Sequence, residues 1–312
     1  DKTCSVGGKI SAVSRADGFI DIFMMANNGL SDGTVWTAAW NSTDGWGGWW
    51  EIDGLAGITG DYVAAASSGS NKIDLVAVRK DGFVYTAAWE YGVSGGAWRG
   101  WWPINGGIAL CGTEPALVSR KSNQLDAFAI GLDGDVWTAA SDEAVSSGDW
   151  AGWWTLGSCG RAVTNVSAVS SDTNYLHVFA TRVDGQIHSN EWNGSGWSGW
   201  RRVGTVTAQP GTKVVPVSRK KGFIDIFVMG NNQHVYAAAW EKGRDSRNSY
   251  RGWWDLGSGC TPGTHLTAVS GSPDTLIVIT ISGNGTAFWS RRWEDNTWEG
   301  WEQVVFNIPI GK

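Results

Sequence analysis

The feature that most constrains the fold is a tryptophan motif that occurs six times along the chain at nearly even spacing. The copies read GWGGWWEI, WRGWWPI, WAGWWTL, WSGWRRV, YRGWWDL and WEGWEQV. The second aromatic residue of each copy falls at Trp49, Trp101, Trp153, Trp200, Trp253 and Trp301, so successive copies lie 52, 52, 47, 53 and 48 residues apart. An internal period near fifty residues is typical of propeller blades.

The whole unit repeats, not only this motif. Each copy begins with a small apolar run ending in serine, and a β-branched run and a third run such as VYTAAW follow. The serines are Ser14, Ser67, Ser119, Ser170, Ser218 and Ser270. Pairs that suit tight hairpins separate the second and third runs at Asp81-Gly82, Asp133-Gly134, Asp184-Gly185 and Asn284-Gly285. With the tryptophan motif as the fourth strand, each repeat predicts one four-stranded antiparallel blade.

The chain is therefore predicted to be all-β, a six-bladed β-propeller forming one closed ring and a single domain over residues 1–312. The repeats span about 9–53, 58–105, 113–157, 163–204, 212–257 and 264–305. Its 44 glycines and 7 prolines fit many short strands joined by turns.

Charge and hydropathy exclude several partners. The net charge is −6, charged residues make up 17% of the chain, and no basic patch is present, so nucleic acid and anionic membranes are not expected as partners. No apolar run approaches the roughly 20 residues that span a bilayer, so no membrane insertion is predicted. The sequence leaves the oligomeric state open.

Four cysteines occupy equivalent positions, each six to eight residues before the first strand of its repeat: Cys4, Cys111, Cys159 and Cys260. In a six-membered ring, repeats three and four are neighbours, and so are six and one. The pairs Cys111–Cys159 and Cys4–Cys260 are thus favoured among three possible pairings, the second closing the ring. Four free thiols or a zinc site are the alternatives, but without CxxC or Cys/His spacing no metal or other cofactor is predicted.

Secretion is the expected localisation. Sequons occur at Asn41, Asn165, Asn193 and Asn284, and glycosylation together with disulfides indicates a secretory route. The first residues, Asp1 to Cys4, show no charged-then-apolar leader, so we expect any signal peptide to have been removed.

Three tryptophan series make sugar binding a hypothesis. Alternation along the last strand sends the Trp49 series to one face of the blade, where packing between blades is the simplest interpretation. The next residues, Trp50, Trp102, Trp154 and Trp254, would be exposed at the rim, since repeats four and six carry Arg201 and Glu302 there. A third series ends strand three at Trp40, Trp89, Trp192, Trp240 and Trp293. Exposed indoles beside polar groups suit sugar rings, and Trp40, Trp89, Trp240 and the rim series are the candidates.

Two polar series accompany the tryptophans. Strand two carries Asp21, Asp74, Asp126 and Asp225, with His177 in repeat four. These acids are expected to be structural partners for serine hydroxyls and indole N–H groups. Arg15, Arg120 and Arg219 follow the serines of repeats one, three and five, with Ser68, Ser171 and Gly271 in the others. They are either solvated turn cations or hydrogen-bond donors to sugar hydroxyls or carboxylates.

Catalytic signals are few. The chain contains four histidines and no nucleophile elbow, HExxH or phosphate-binding loop. Repeats four and six break the pattern with His188, Glu191 and Arg291. Divergence explains such asymmetry, but so does one site at the mouth of the ring, in which His188 or Glu191 would act as acid or base and Arg291 would face a carboxylate.

Stretches such as IDLVAVRKDGFVYTAAW, followed by WRGWWPINGG, resemble the repeat of the Photorhabdus-type β-propeller lectins, in which a W-x-G-W-x-x-L-G-G run closes each blade. The resemblance covers all six repeats and implies a secreted or surface protein that binds carbohydrate at several shallow sites. The chain differs in having six repeats where that family has seven, and its cysteines and sequons are typical of a fungal protein. Fungal fucose lectins with six blades are similar in architecture.

Two functions from different classes remain. The first is a secreted multivalent lectin with repeated aromatic and polar sites for glycans or polysaccharides, which gains affinity by avidity. The second is a carbohydrate-active enzyme, a polysaccharide lyase or glycoside hydrolase, with one site at the ring's mouth. A protein-interaction platform is a third possibility, because propellers support many functions. A single deep pocket holding His188, Glu191 or Arg291 would favour the enzyme.

Overall fold

The structure is a computed structural model that describes residues 10–26, 34–53, 58–142, 149–160, 163–257, 263–273, 275–282, 286–292 and 297–304. Blades one to three contain strands β1 (Ile10–Val13), β2 (Phe19–Ala26), β3 (Thr34–Asn41), β4 (Gly45–Trp46), β5 (Trp50–Ile52), β6 (Ile58–Ala66), β7 (Lys72–Arg79), β8 (Phe83–Glu90), β9 (Arg99–Ile108), β10 (Ala116–Lys121), β11 (Gln124–Ile130), β12 (Val136–Asp142) and β13 (Trp150–Thr155). Blades four to six contain β14 (Val163–Asp172), β15 (Tyr175–Arg182), β16 (Gln186–Trp192), β17 (Arg201–Thr207), β18 (Val215–Lys220), β19 (Phe223–Met229), β20 (Val235–Glu241), β21 (Arg251–Asp255), β22 (Gly263–Ser272), β23 (Thr275–Ser282), β24 (Ala287–Arg292) and β25 (Glu302–Gln303).

Each blade is an antiparallel meander of consecutive strands, which confirms the predicted six-bladed β-propeller. Blade and repeat boundaries coincide. Blade one differs in its outer strand, which is split into β4 and β5, both paired with β3. Within the described ranges, no helix has the length and apolar character needed to cross a bilayer.

The repeated serine shapes the turn after each innermost strand. In all six blades its hydroxyl donates to the carbonyl oxygen two residues later, at 2.6–3.4 Å. The turn then passes through a left-handed residue, which is Gly18, Asn71, Asn123, Asn174 or Gly222 in blades one to five. Glycine and asparagine adopt that conformation most readily, so the sequence of the turn follows from its backbone.

The same left-handed residue joins neighbouring blades. The N–H of Asn71 donates to the carbonyl of Arg15 in blade one at 2.9 Å, and equivalent bonds run from Asn123 to Ser68, Asn174 to Arg120 and Gly222 to Ser171, at 2.7, 3.1 and 2.6 Å. Backbone hydrogen bonds thus connect the first five blades around the face of the ring that carries these turns.

Hydrophobic cores lie between blades rather than within them. Five clusters occupy the junctions from blades one and two to blades five and six. Trp101, Trp153, Trp200, Trp253 and Trp301 each pack against one of them, which confirms the packing interpretation of this series. The indoles of Trp153, Trp200 and Trp301 also donate to carbonyls of the preceding blade at 2.8–3.2 Å. Trp49 is the exception, with 39% of its surface exposed.

The innermost strands β1, β6, β10, β14, β18 and β22 line a central channel of about 510 Å³. An ion pair between Glu114 and Lys213 links the segments that precede β10 and β18, and both residues line the channel. The channel is therefore crossed by a polar contact between blades three and five.

The predicted Cys111–Cys159 disulfide is wrong. Both cysteines are free, Cys111 exposed and Cys159 buried. Each faces the blade before its own: the Cys111 sulfur lies 3.6 Å from the carbonyl oxygen of Lys80, and Cys159 packs in the core shared with blade three. Equivalent positions that both face backwards stay one blade apart, too far for a bridge. Cys4 and Cys260 lie outside the described residues.

Candidate functional site

A pocket of about 230 Å³ opens between blades two and three, at the end of the junction that carries the serine turns. We call it the polar pocket. Its main lining side chains are Ser68, Lys72, Asp74, Trp89, Glu90, Arg99, Trp102, Asn123, Asp149 and Trp150. It therefore combines three indoles with five charged groups.

The indoles reach the polar pocket from three strands. Trp89 ends β8, Trp102 lies in β9 and Trp150 begins β13, so both neighbouring blades contribute. All three are partly buried. The Trp89 indole donates to the carbonyl of Gly96 at 2.8 Å, which fixes its plane. Oriented aromatic surfaces of this kind can take the apolar face of a small ring.

Polar groups surround these rings. Ser68 donates to Asp74 at 2.7 Å, and Lys72 pairs with Glu90 at 3.2 Å. Arg99 and Asp149 are exposed at the rim. Such a lining of indoles with directed donors and acceptors is typical of sites for small polar ligands.

A substitution in repeat two explains why this junction is open. Where blade two has Ser68, blades one, three and five have arginines that lie over the strand-two aspartate and pair with it. Arg15, Arg120 and Arg219 lie 2.5, 3.0 and 2.8 Å from Asp21, Asp126 and Asp225. The arginines are thus internal partners of buried acids, so they are neither solvated turn cations nor sugar ligands in this structure. Ser68 pairs with Asp74 as the serine hypothesis predicted, but leaves space above it.

These buried acids have altered acidity. Burial raises the pKa of Asp126 to about 7, although the charge of Arg120 acts in the opposite direction. Burial likewise raises the pKa of Asp21 and of Asp225, again against their arginine partners. Desolvation therefore outweighs the ion pair at each of these positions.

The junction between blades four and five is filled from within. Glu191, only 2% exposed, replaces the alanine found in blades one, two, three and five, and accepts a hydrogen bond from the backbone N–H of Asn248. Its carboxylate lies 3.6 Å from His177, which in turn lies 2.9 Å from the hydroxyl of Tyr250. Burial raises the pKa of Glu191 to about 7 and lowers that of His177 to about 3.

A second pocket, of about 360 Å³, opens at the opposite end of the junction between blades two and three. We call it the apolar pocket. Trp137, Trp153 and Leu132 line it, together with Asp133, whose carboxylate accepts from the Trp137 indole at 3.1 Å. Sequence reasoning assigned Trp153 to packing and did not single out Trp137. The signal was the GG pair after the tryptophan motif, since a Cβ at Gly107 would lie 2.2 Å from the Trp153 ring.

The predicted sugar-binding tryptophans are divided by the structure. Trp50, Trp154 and Trp254 are exposed as expected, but only Trp89 and Trp102 line the polar pocket. Trp40 is partly exposed. Trp240 is 3% exposed and packs on His177 with ring centroids 4.5 Å apart, so it cannot serve as a sugar platform.

The catalytic candidates do not form a site. His188 and Glu191 are buried and line neither the polar nor the apolar pocket. Burial also lowers the pKa of His188. The side chain of Arg291 lies outside the described part of the chain.

Two sequons fit modification and one does not. Asn41 and Asn193 lie at turns, where their side chains accept backbone N–H bonds. Asn165 is 9% exposed and its amide donates to the carbonyl of Thr212, so the folded chain has no room for a glycan there. Asn284 is outside the described residues.

Comparisons with known proteins identify the fold. No family model matches the chain, and no curated protein is similar to it in sequence. Among solved structures it is similar to the BP39L lectin from Burkholderia pseudomallei, with 22% identity and a TM-score of 0.81 over 96% of this chain and 84% of the other. It also resembles AofleA from Arthrobotrys oligospora, with 12% identity and a TM-score of 0.65 over 95% and 86%. The fucose-specific lectin from Aleuria aurantia matches at 13% identity and 0.62 over all of both chains.

Proposed function

We propose that this protein is a secreted lectin and that the polar pocket between blades two and three holds a sugar ring. The observation that carries the proposal is the grouping of Trp89, Trp102 and Trp150 with Asp74 and Arg99 in one open pocket. The C–H face of a pyranose stacks on an indole, while its hydroxyls need the acceptors and donors that the charged groups supply.

Fucose is the first sugar to test. The similar structures include a fucose-specific lectin and the same lectin with α-methyl-L-fucoside. The apolar pocket is the second candidate site, because Trp137 and Leu132 would accept the methyl group of a 6-deoxy sugar. Other junctions bind more weakly in this proposal, since arginines or Glu191 fill them, and avidity then depends on the few open sites.

The enzyme alternative receives no support from the site. His188 and Glu191, the groups proposed for acid–base chemistry, are buried away from both pockets. A lectin needs no such group, and the polar pocket provides binding atoms without a positioned catalytic pair.

The deciding experiment is a glycan-array screen followed by calorimetric titration with α-methyl fucoside. Trp102→Ala and Arg99→Ala should each weaken binding by about tenfold or more, the loss of one stacked ring or one charged hydrogen bond. Trp254→Ala, the same motif position in blade five, is the matched control and should leave the affinity unchanged. Trp137→Ala separates the two pockets.

Two outcomes would contradict the proposal. Binding that survives Trp102→Ala, Arg99→Ala and Trp137→Ala together would place the sugar elsewhere. New reducing ends or unsaturated uronates from polysaccharide substrates would show an enzyme, and attention would move to blades four and six.

A further inference from the structure

Blade one presents an apolar face that has no described partner. Strand β2 turns Phe23 toward blade two, so Ile20, Ile22 and Met24 face the other way, toward blade six. Ile20 is 40% exposed, whereas its equivalents in the other blades are buried. These equivalents are Ile73 at 1%, Leu125 at 6%, and Leu176, Ile224 and Leu276 at 0%.

Blade six presents the opposite face. Strand β23 packs Leu276 and Val278 against blade five, which leaves Ile277, Ile279 and Ile281 facing blade one. Ile281 is 38% exposed, while the residues at its position in the other five blades are buried. We call the space between these two faces the six–one seam and define it by Ile20, Ile22 and Trp49 on one side and Ile277, Ile279 and Ile281 on the other.

The interactions that join the other blades are missing at the six–one seam within the described residues. Five apolar clusters each combine two neighbouring blades, but none of them combines blades six and one. The inner strands of the other neighbours make extensive contacts, whereas β22 and β1 do not. The turn of blade one, at Gly18, forms no equivalent of the bond from Asn71 to Arg15 in the described backbone.

The comparison structures point the same way. The Aleuria lectin described as a six-bladed β-propeller covers the whole of both chains, yet superposes with a TM-score of only 0.58, against 0.81 for BP39L. The blades themselves are ordinary four-stranded sheets, so a different arrangement around the ring accounts for a poor match over the full length.

We infer that the six–one seam accepts one further four-stranded blade carrying the same repeat. Such a blade would meet Ile277, Ile279 and Ile281 with the tryptophans of its outer strand, as blade six meets Phe227 with Trp298 and Trp301. Its other face would cover Ile20 and Trp49 with a strand-two Phe or Ile. The five described junctions repeat one interface, and the seam consists of the two unmatched halves of it. Propellers close with four to eight blades, so seven is an ordinary number.

Site-specific labelling tests this inference. Ile20→Cys is treated with a maleimide, and modification is measured peptide by peptide by mass spectrometry so that native thiols do not interfere. Leu276→Cys, the buried equivalent in blade six, is the matched control. In the present chain Ile20→Cys should react at least about tenfold faster than Leu276→Cys. Joining a copy of repeat five, residues 212–257, to the C-terminus should slow Ile20→Cys to the rate of the control.

Three results would overturn the inference. Protection of Ile20→Cys in the monomeric chain would mean that blade six packs directly on blade one. Protection that grows with protein concentration, together with a dimer in sedimentation, would assign the seam to a second copy. Unchanged labelling after the repeat is added would show that no blade fits. If the cysteine variants fail to fold, hydrogen exchange of β2 in the unmodified and seven-repeat chains gives the same comparison.

Discussion

Glu191 shows how one residue can change a junction. Its carboxylate lies in a space that alanine leaves open elsewhere, surrounded by His177, Arg247 and the N–H of Asn248. Burial is the main cause of its raised pKa, of about 7, and the Asn248 bond and the Arg247 charge only partly oppose it. The group therefore costs stability when it ionises.

This cost predicts a pH dependence. The pKa of Glu191 is about 7 in the folded chain and near 4.5 when unfolded, so the folded state retains the proton between these values. Its favourable contribution is complete below about pH 4.5 and is lost as the pH rises through 7. Glu191→Gln lacks this loss, so we expect its free energy of unfolding, relative to wild type, to rise by up to about 3 kcal/mol between pH 4.5 and 8.

Urea unfolding at several pH values measures this difference. Titration of His177 in the unfolded chain is common to both proteins and cancels. Glu302→Gln, at an exposed position, is the control and should follow wild type at every pH. A flat difference for Glu191→Gln would mean that water or a local rearrangement solvates the carboxylate.

Ser68 has the opposite effect at the residue scale. It replaces an arginine and leaves a pocket above Asp74, whereas Glu191 fills one. Both substitutions are visible in the sequence as breaks in the repeat. Their consequences are not, because the space that each side chain gains or loses is bounded by residues of the next blade.

At the scale of elements, the turn after the innermost strand determines how blades connect. Asn71 has φ of 57°, and its N–H bonds to blade one at 2.9 Å. The left-handed backbone both closes the hairpin and aims this N–H at the neighbour. Local conformation and assembly of the ring are therefore linked at one residue.

Replacing Asn71 separates these effects. Asn71→Ala should lower the free energy of unfolding by about 1 kcal/mol, because alanine pays a steric penalty in the left-handed region. Asn71→Gly should be nearly neutral, since the backbone bond to Arg15 is kept. Equal losses for the two variants in urea unfolding would show that the asparagine side chain, and not the backbone conformation, stabilises the turn.

At the scale of the whole molecule, stability resides at the junctions. The core clusters join blades, and the indole N–H of Trp200 donates to Gly157 in the preceding blade at 2.9 Å. Trp49 holds the same motif position, but it borders the six–one seam and is 39% exposed. Two residues that are equivalent in sequence thus have different surroundings.

This difference gives a matched pair of variants. Trp200→Ala should cost about 3–5 kcal/mol, the range for removing a packed aromatic. Trp49→Ala should cost less than about 1 kcal/mol, as at other surface positions. Chemical denaturation measures both, and a large loss for Trp49→Ala would show that this indole is packed in solution.

The sequence by itself determined the number of blades, their four antiparallel strands, the position of the turns and the packing role of the Trp101 to Trp301 series. These features are local or repeat six times, so each copy supports the others. Only the tertiary structure decided which junctions are open, that Arg15, Arg120 and Arg219 pair with internal acids, that Trp240 is buried and that Cys111 and Cys159 remain apart. Those outcomes depend on side chains about fifty residues apart meeting across a junction, and on the angle between blades, which a repeat pattern does not encode.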